Sequence, residues 1–510
     1  MKRAFILAAL AVATSTGLVA QEFKPNSLVL ARSVYSGDAS TVSVGQTLPP
    51  GCVAKTVTLP LLSGGTTTVK VKCATATADG SYPTVFENDV PDGSFGVTSP
   101  IFLDNLSTEG KLFGTLAIPS DEIVTSFSSK SELALNLSQD GKSLTFVGYR
   151  GASASFPTGP NQLDVSNSNT PGVVDPTNPV VSHYYRAVAE VDADGNIQYT
   201  DGNAYSGNNG RAAIKANGRY YLTGNNNNGG LSASQLTNTQ VGIDLITSTG
   251  AELLVPGQIP PVPPGINMIG DFEITQVGYS KPDKPGKDNN FRGLTIYNNT
   301  MYVTKGSGGN GINTVYQVGN AGTLPAGTTA ELASLPITIL PGFPTSLASG
   351  VDQNGNPAPV AFPFGLFFAD ENTLYVCDEG DGVAADAAQG TGGVQKWSYS
   401  NGTWHMLYVL RDGLDLGVPY AVSNYPSPAT DGCRNLTGKV NGKGTVDLYA
   451  VTSTVSASGD QGADPNKLVK VTDLLRATTL PNGNGLGHFT TIRSAASGEV
   501  FRGVSFAPKK

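Results

Sequence analysis

One unit recurs along this chain at a near-constant interval, and that recurrence limits the possible folds more than any other feature. Its clearest copy is residues 288–318: a strand starting at Gly293, a tight turn, the strand Thr300-Met-Tyr-Val-Thr-Lys, a Gly/Asn loop and a further strand ending at Val318. Comparable first strands begin near Leu133, Gly210, Gly365, Asn435 and Gly503, roughly 70–80 residues apart, and four short strands per unit at such a period are the signature of a β-propeller. The hairpin of the third and fourth strands is predicted within 100–118, 184–199 and 394–409, around Glu109-Gly110, Asp194-Gly195 and Asn401-Gly402. Asp-Gly and Asn-Gly suit two-residue turns because both central residues need positive φ.

The two ends predict how the ring closes. Asn26-Ser-Leu-Val-Leu-Ala-Arg is similar to the second strands Asn299-Thr-Met-Tyr-Val-Thr-Lys and Asn372-Thr-Leu-Tyr-Val-Cys-Asp, while Phe501-Arg-Gly-Val-Ser-Phe nearly repeats Phe291-Arg-Gly-Leu-Thr-Ile. One blade is therefore expected to be completed by both ends, which removes exposed sheet edges. The count is six blades, with seven as the rival if residues 33–98 conceal another. Those residues are read as an excursion from the closing blade, and 255–268, with five prolines, as an extended loop between blades.

Lys2 and Arg3 followed by the apolar run 4–12 and small residues up to Ala20 have the layout of a secretory signal peptide, leaving residues 21–510 as one exported propeller domain. No later stretch reaches the ~18 apolar residues of a membrane span. A net charge of −8 with no basic stripe argues against nucleic acid as a partner, and a monomer is expected. Four cysteines in an exported chain predict two disulfides. Cys52 and Cys73 bracket an alternating hairpin around Ser63-Gly64-Gly65, and Cys377 and Cys433 would join neighbouring blades.

The segments Thr125–Asn136, Asn203–Ala213, Gly286–Val318 and Ser456–Val469 resemble a family of exported, largely uncharacterised propeller proteins from bacteria and fungi. The resemblance spans most of the mature chain. It implies the fold and export and brings no catalytic residues with it.

In a propeller the residue just before each first strand rims the channel mouth. Those positions hold Glu132, Arg211, Arg292, Phe364, Arg434 and Arg502. Four guanidiniums around one opening could bind an anion such as a carboxylate, uronate or phosphate, because each can hold an oxyanion bidentately. A competing structural reading pairs them with nearby acids: Asp288 with Arg292, Asp431 with Arg434, Glu499 with Arg502. The same face is expected to carry Lys305, Asp378, Glu379 and Asp381, the three carboxylates being a candidate Ca²⁺ set of hard oxygens that lacks the EF-hand spacing.

Only three histidines occur, and His183, His405 and His488 sit at or in predicted strands with no nucleophile elbow beside them. Trp397 and Trp404 are read as a cross-strand aromatic pair. The sequons at Asn105, Asn136, Asn298, Asn401 and Asn435 carry no functional weight. Two functions follow as expectations: a hydrolase or lyase acting at the channel mouth on an anionic extracellular substrate (an acidic oligosaccharide, ester or lactone), or a non-catalytic surface or matrix protein that displays loops on a rigid ring.

Overall fold

The computed structural model describes residues 22–35, 45, 47–48, 52–60, 65–71, 73–75, 98–127, 129–150, 167–171, 173, 178, 184–225, 242–246, 266–281, 289–306, 309–456, 461–481, 483 and 485–510. The expected signal segment and His183 lie outside them. The strands assemble into six antiparallel blades, so the fold is a six-bladed β-propeller. From the axis outward, blade 1 runs Glu499–Phe506, Leu28–Val34, Ile101–Leu106, Leu112–Ala117. Blades 3 to 6 open on Gly210–Ala216, Leu294–Tyr297, Pro363–Asp370 and Ala429–Val440, each inner strand pairing with the next in sequence.

Closure follows the expected route. Leu28 pairs with Phe506 on one side and with Leu106 on the other, so the innermost strand of blade 1 comes from the far end of the chain. The excursion is the connection between that blade's second and third strands, and it carries the hairpin Lys55–Pro60/Thr66–Val71 closed by the Cys52–Cys73 disulfide. The proline-rich stretch is corrected in part: its described end, Ile266–Met268, is the outer strand of blade 3, because past the last proline Ile-Asn-Met resumes the ladder against Asp244–Ile246.

Blade 2 departs furthest from expectation. Its inner strand does not start at Leu133 but is broken into Ile123–Ser126 and Asn136–Leu137, which pair with the two ends of Ser143–Arg150. The residues between them leave the ladder at the axis. Leu133 resumes with φ 64°, a left-handed conformation rare for a branched aliphatic residue.

Inner strands crowd the axis, and glycine after a rim residue makes that contact possible. A Cβ on Gly293 would lie 1.8 Å from the Phe364 carbonyl oxygen, and one on Gly503 would lie 2.4 Å from the Leu135 nitrogen. Between blades the packing is apolar, as where Ile214, Tyr221 and Leu245 of blade 3 join one buried cluster with Phe291, Met301 and Tyr316 of blade 4. At three junctions a third-strand carboxylate adds a polar staple. Glu190 takes Lys215 Nζ at 2.6 Å and Tyr220 Oη at 2.6 Å. Asp104 takes Arg32 Nε at 2.9 Å and Arg493 Nη2 at 3.2 Å. Asp473 takes Tyr375 Oη at 2.6 Å, Tyr408 Oη at 2.9 Å and Lys396 Nζ at 3.0 Å.

Candidate functional site

The rim residues do gather at one mouth of the channel, but the chain itself fills it. The residues that interrupt the inner strand of blade 2 form a strap across the axis, and Phe127 and Ser129–Glu132 meet side chains from around the ring. Arg502 of blade 1 donates from Nη1 to the Ser129 carbonyl at 2.5 Å, from Nη2 to the Phe127 carbonyl, and from Nε to Ser33 Oγ at 3.1 Å. Arg211 of blade 3 donates from Nε to Ser131 Oγ at 2.8 Å and from Nη1 to the Phe291 carbonyl at 2.9 Å and Asn290 Oδ1. Lys130 reaches across to blade 5, its Nζ 3.4 Å from Glu379 Oε1.

Glu132 anchors the far end of the strap. It accepts from Tyr149 Oη at 2.6 Å, Asn209 Nδ2 at 3.0 Å and the Ser126 N–H at 3.0 Å. Burial, with Glu132 close by, pushes the Tyr149 phenol well up, so it stays a donor. Glu379 is the hub opposite: Arg434 Nε lies 3.0 Å from its Oε2. Burial disfavours its charge, yet Lys130, Arg434 and Arg292 together hold its carboxyl below the usual range. Arg292 also lies 5.7 Å from the centre of the Phe364 ring.

The acid partners differ from those the sequence spacing suggested. Arg434 pairs with Glu379 rather than Asp431, and Arg502 takes backbone carbonyls while Glu499 turns to Arg32 Nη1 at 2.8 Å. Adjacent strand residues point to opposite faces, so short spacing does not place two side chains together. Asp288 lies outside the described residues.

The remaining expected site residues separate. Asp378 is wholly buried and accepts from the Phe362 and Gly380 N–H groups at 2.9 and 3.0 Å, Thr391 Oγ1 at 2.9 Å and Gln395 Nε2 at 3.0 Å. Burial pushes its carboxyl up to about 6 against those donors. Asp381 is exposed and caps its own turn at the Val383 N–H. Lys305 is buried, its Nζ 3.0 Å from Asn313 Oδ1. The Asp378–Glu379–Asp381 trio is thus divided among three environments, and among the described residues no group of three His, Cys, Asp or Glu stands together as a metal site.

Asp431 emerges in a different role. It is 2% exposed, its Oδ2 accepts the Gly382 N–H at 2.8 Å, and its Oδ1 has no hydrogen-bond partner. Burial, with Asp381 and Glu379 adding, pushes its carboxyl up to about 7. The expected Cys377–Cys433 bond is present and ties blade 5 to blade 6 just below this loop. His488 is half-exposed on Asp412 at 2.8 Å, and His405 is exposed on an outer strand. Trp397 and Trp404 are buried and do not face each other in register; Phe343 stacks on Trp397 at 3.9 Å, which makes them part of an inter-blade core.

The strap leaves one sign in the sequence, the polar run Ser128-Ser-Lys-Ser-Glu set inside an inner-strand pattern.

No protein-family profile matches the chain, and no curated protein does. Among solved structures, it is similar to the hemagglutinin-neuraminidase ectodomain of parainfluenza virus 5, at 10% identity and a TM-score of 0.35 over 86% of each chain. It is also similar to the β-propeller domain of the Trilobed protease from Pyrococcus furiosus, at 10% identity and a TM-score of 0.28, over 90% of this chain and 99% of that one. Similarity at this level carries nothing about function, and the propeller assignment rests on the strand pairing.

Proposed function

We propose that this is a non-catalytic recognition protein of an oxidising, extracytoplasmic compartment, a closed ring whose long connections on one face meet an extracellular saccharide or matrix surface. The observation that carries this reading is the internal engagement at the channel mouth. Arg211, Arg434 and Arg502 and the acids Glu132, Asp378 and Glu379 are each committed to partners within the chain, whereas a hydrolase or lyase would present such groups to substrate. Two disulfides agree with an oxidising location.

The connections between second and third strands supply the display surface. They cover 35–100 in blade 1 and 379–392 in blade 5 but only 306–313 in blade 4, and loops on a rigid scaffold are the usual carriers of recognition. The test is retention of the mature protein on insoluble polysaccharide and matrix, in parallel with turnover assays on esters, lactones and acidic oligosaccharides. The expected result is retention that survives Lys130→Ala, which strips the mouth of its partly exposed cation, with no turnover. Turnover of any of these substrates that is lost in Arg502→Ala would replace this reading with the hydrolytic one.

A further inference from the structure

We infer that Ser129–Ser131 is an intramolecular latch over a latent oxyanion site, and that a carboxylate- or sulfate-type ligand gains the channel mouth by displacing it. The inference goes beyond loop recognition and does not depend on it. Four observations meet here.

The latch sits where an anion would. Arg502 and Arg211 approach from blades 1 and 3 and spend their donors on the Phe127 and Ser129 carbonyls and on Ser131 Oγ. A guanidinium can engage an oxyanion bidentately, with opposite charge as well as two parallel hydrogen bonds, which a single neutral carbonyl or hydroxyl cannot offer. An incoming oxyanion therefore offers both arginines better acceptors than the ones it removes.

Leaving is inexpensive. Ser129, Lys130 and Ser131 carry no apolar side chain, so their release forfeits polar contacts, the Lys130–Glu379 ion pair among them. What remains after release is stable: Glu379 keeps Arg434 at 3.0 Å.

The ends are fixed. Phe127 is fully buried with its ring 5.1 Å from that of Tyr35, and Glu132 is held by Tyr149, Asn209 and the Ser126 N–H. Motion is thereby confined to the polar residues between them, as at a hinged lid.

Strain lies at the second anchor. Leu133 holds φ 64° while fully buried, a conformation that persists only where the surroundings enforce it.

Because the site is open only in a minor population, ligand affinity is reduced by the open fraction, and any change that opens the latch restores it. Lys130→Glu does so by setting a carboxylate against Glu379. The experiment is hydrogen exchange of the full mature chain with and without citrate and sulfate, with titration calorimetry of wild type, Lys130→Glu and Arg502→Lys. The expected result is faster exchange of the Ser129–Ser131 amides with either anion, affinity at least about tenfold higher in Lys130→Glu, and loss of binding in Arg502→Lys, where bidentate geometry is gone. If Lys130→Glu does not fold, the wild-type exchange experiment alone decides. Strap amides unmoved by both anions, or anion binding that leaves Arg502→Lys unaffected, would overturn the latch.

Discussion

Blade 6 contributes two buried aspartates that answer the same problem in opposite ways. Asp473, on the third strand, is 0% exposed and has Lys396, Tyr375 and Tyr408 on its two oxygens. Asp431, on the inner strand, is 2% exposed and has one N–H on Oδ2 and no hydrogen bond on Oδ1. An ion pair inside a blade junction is tolerable only when every lone pair and proton is matched, and the first cluster meets that condition. At the mouth, acids and cations are crowded around a strap, and the burial of Asp431 is accommodated by a displaced titration. Saturation marks the parts of the ring that hold it together. Incomplete matching marks the parts where its arrangement can change.

The comparison breaks most readily at Asp473. Asp473→Ala leaves the Lys396 ammonium buried, with neutral acceptors, the Tyr408 hydroxyl and the Leu474 and Ala477 carbonyls, in place of its ion pair, and is expected to cost about 3–5 kcal/mol in urea unfolding. A Lys396→Met, Asp473→Leu double variant, which removes both charges, is expected close to wild type. If the single variant loses less than the double, the staple is not a matched pair.

Asp431 sharpens the contrast through pH. Its carboxyl stands near 7 against an ordinary 3.8, so between those values the native protein holds a proton that the unfolded chain has released. Stability therefore falls as pH rises through that window, by at most ~1.4 kcal/mol per pH unit for one group. Asp431→Asn should flatten the slope, raising the unfolding midpoint at pH 8 more than at pH 5. Asp378, near 6, leaves a residual slope below that pH. An unchanged slope in Asp431→Asn would show that this carboxyl titrates normally.

The smallest effect belongs to the surface. His488 and Asp412 are 49% and 72% exposed, and Asp412→Asn should change stability by no more than about 0.5 kcal/mol, screened away further by salt.

Much of the ring was legible because period, turn chemistry and closure all derive from local pattern. Asn217-Gly218 and Asn401-Gly402 hold the positive φ that their turns demand, and the Phe-Arg-Gly repeats at 291 and 501 mark inner strands that meet a neighbour at glycine. The mouth was legible only as a set of residues. Arg211, Arg292, Arg434 and Arg502 were read as rim residues from their place before the inner strands, and nothing in local spacing relates Arg434 to Glu379 or Arg502 to Ser129. The strap was hidden for a related reason: Leu133-Ala-Leu-Asn-Leu alternates like a strand, and only the three-dimensional ladder shows that pairing begins at Asn136.

The pairing of Leu28 with Phe506 also fixes the order in which the molecule can be finished. Strand Leu28–Val34 precedes the strands of the other five blades in the chain, yet its inner neighbour Glu499–Phe506 follows them all, so blade 1 lacks its axial strand until that strand has been made. Contacts of such long range close slowly. The unpaired side of that early strand is therefore the nascent chain's standing exposure to misassembly, and pairing with Glu499–Phe506 ends it.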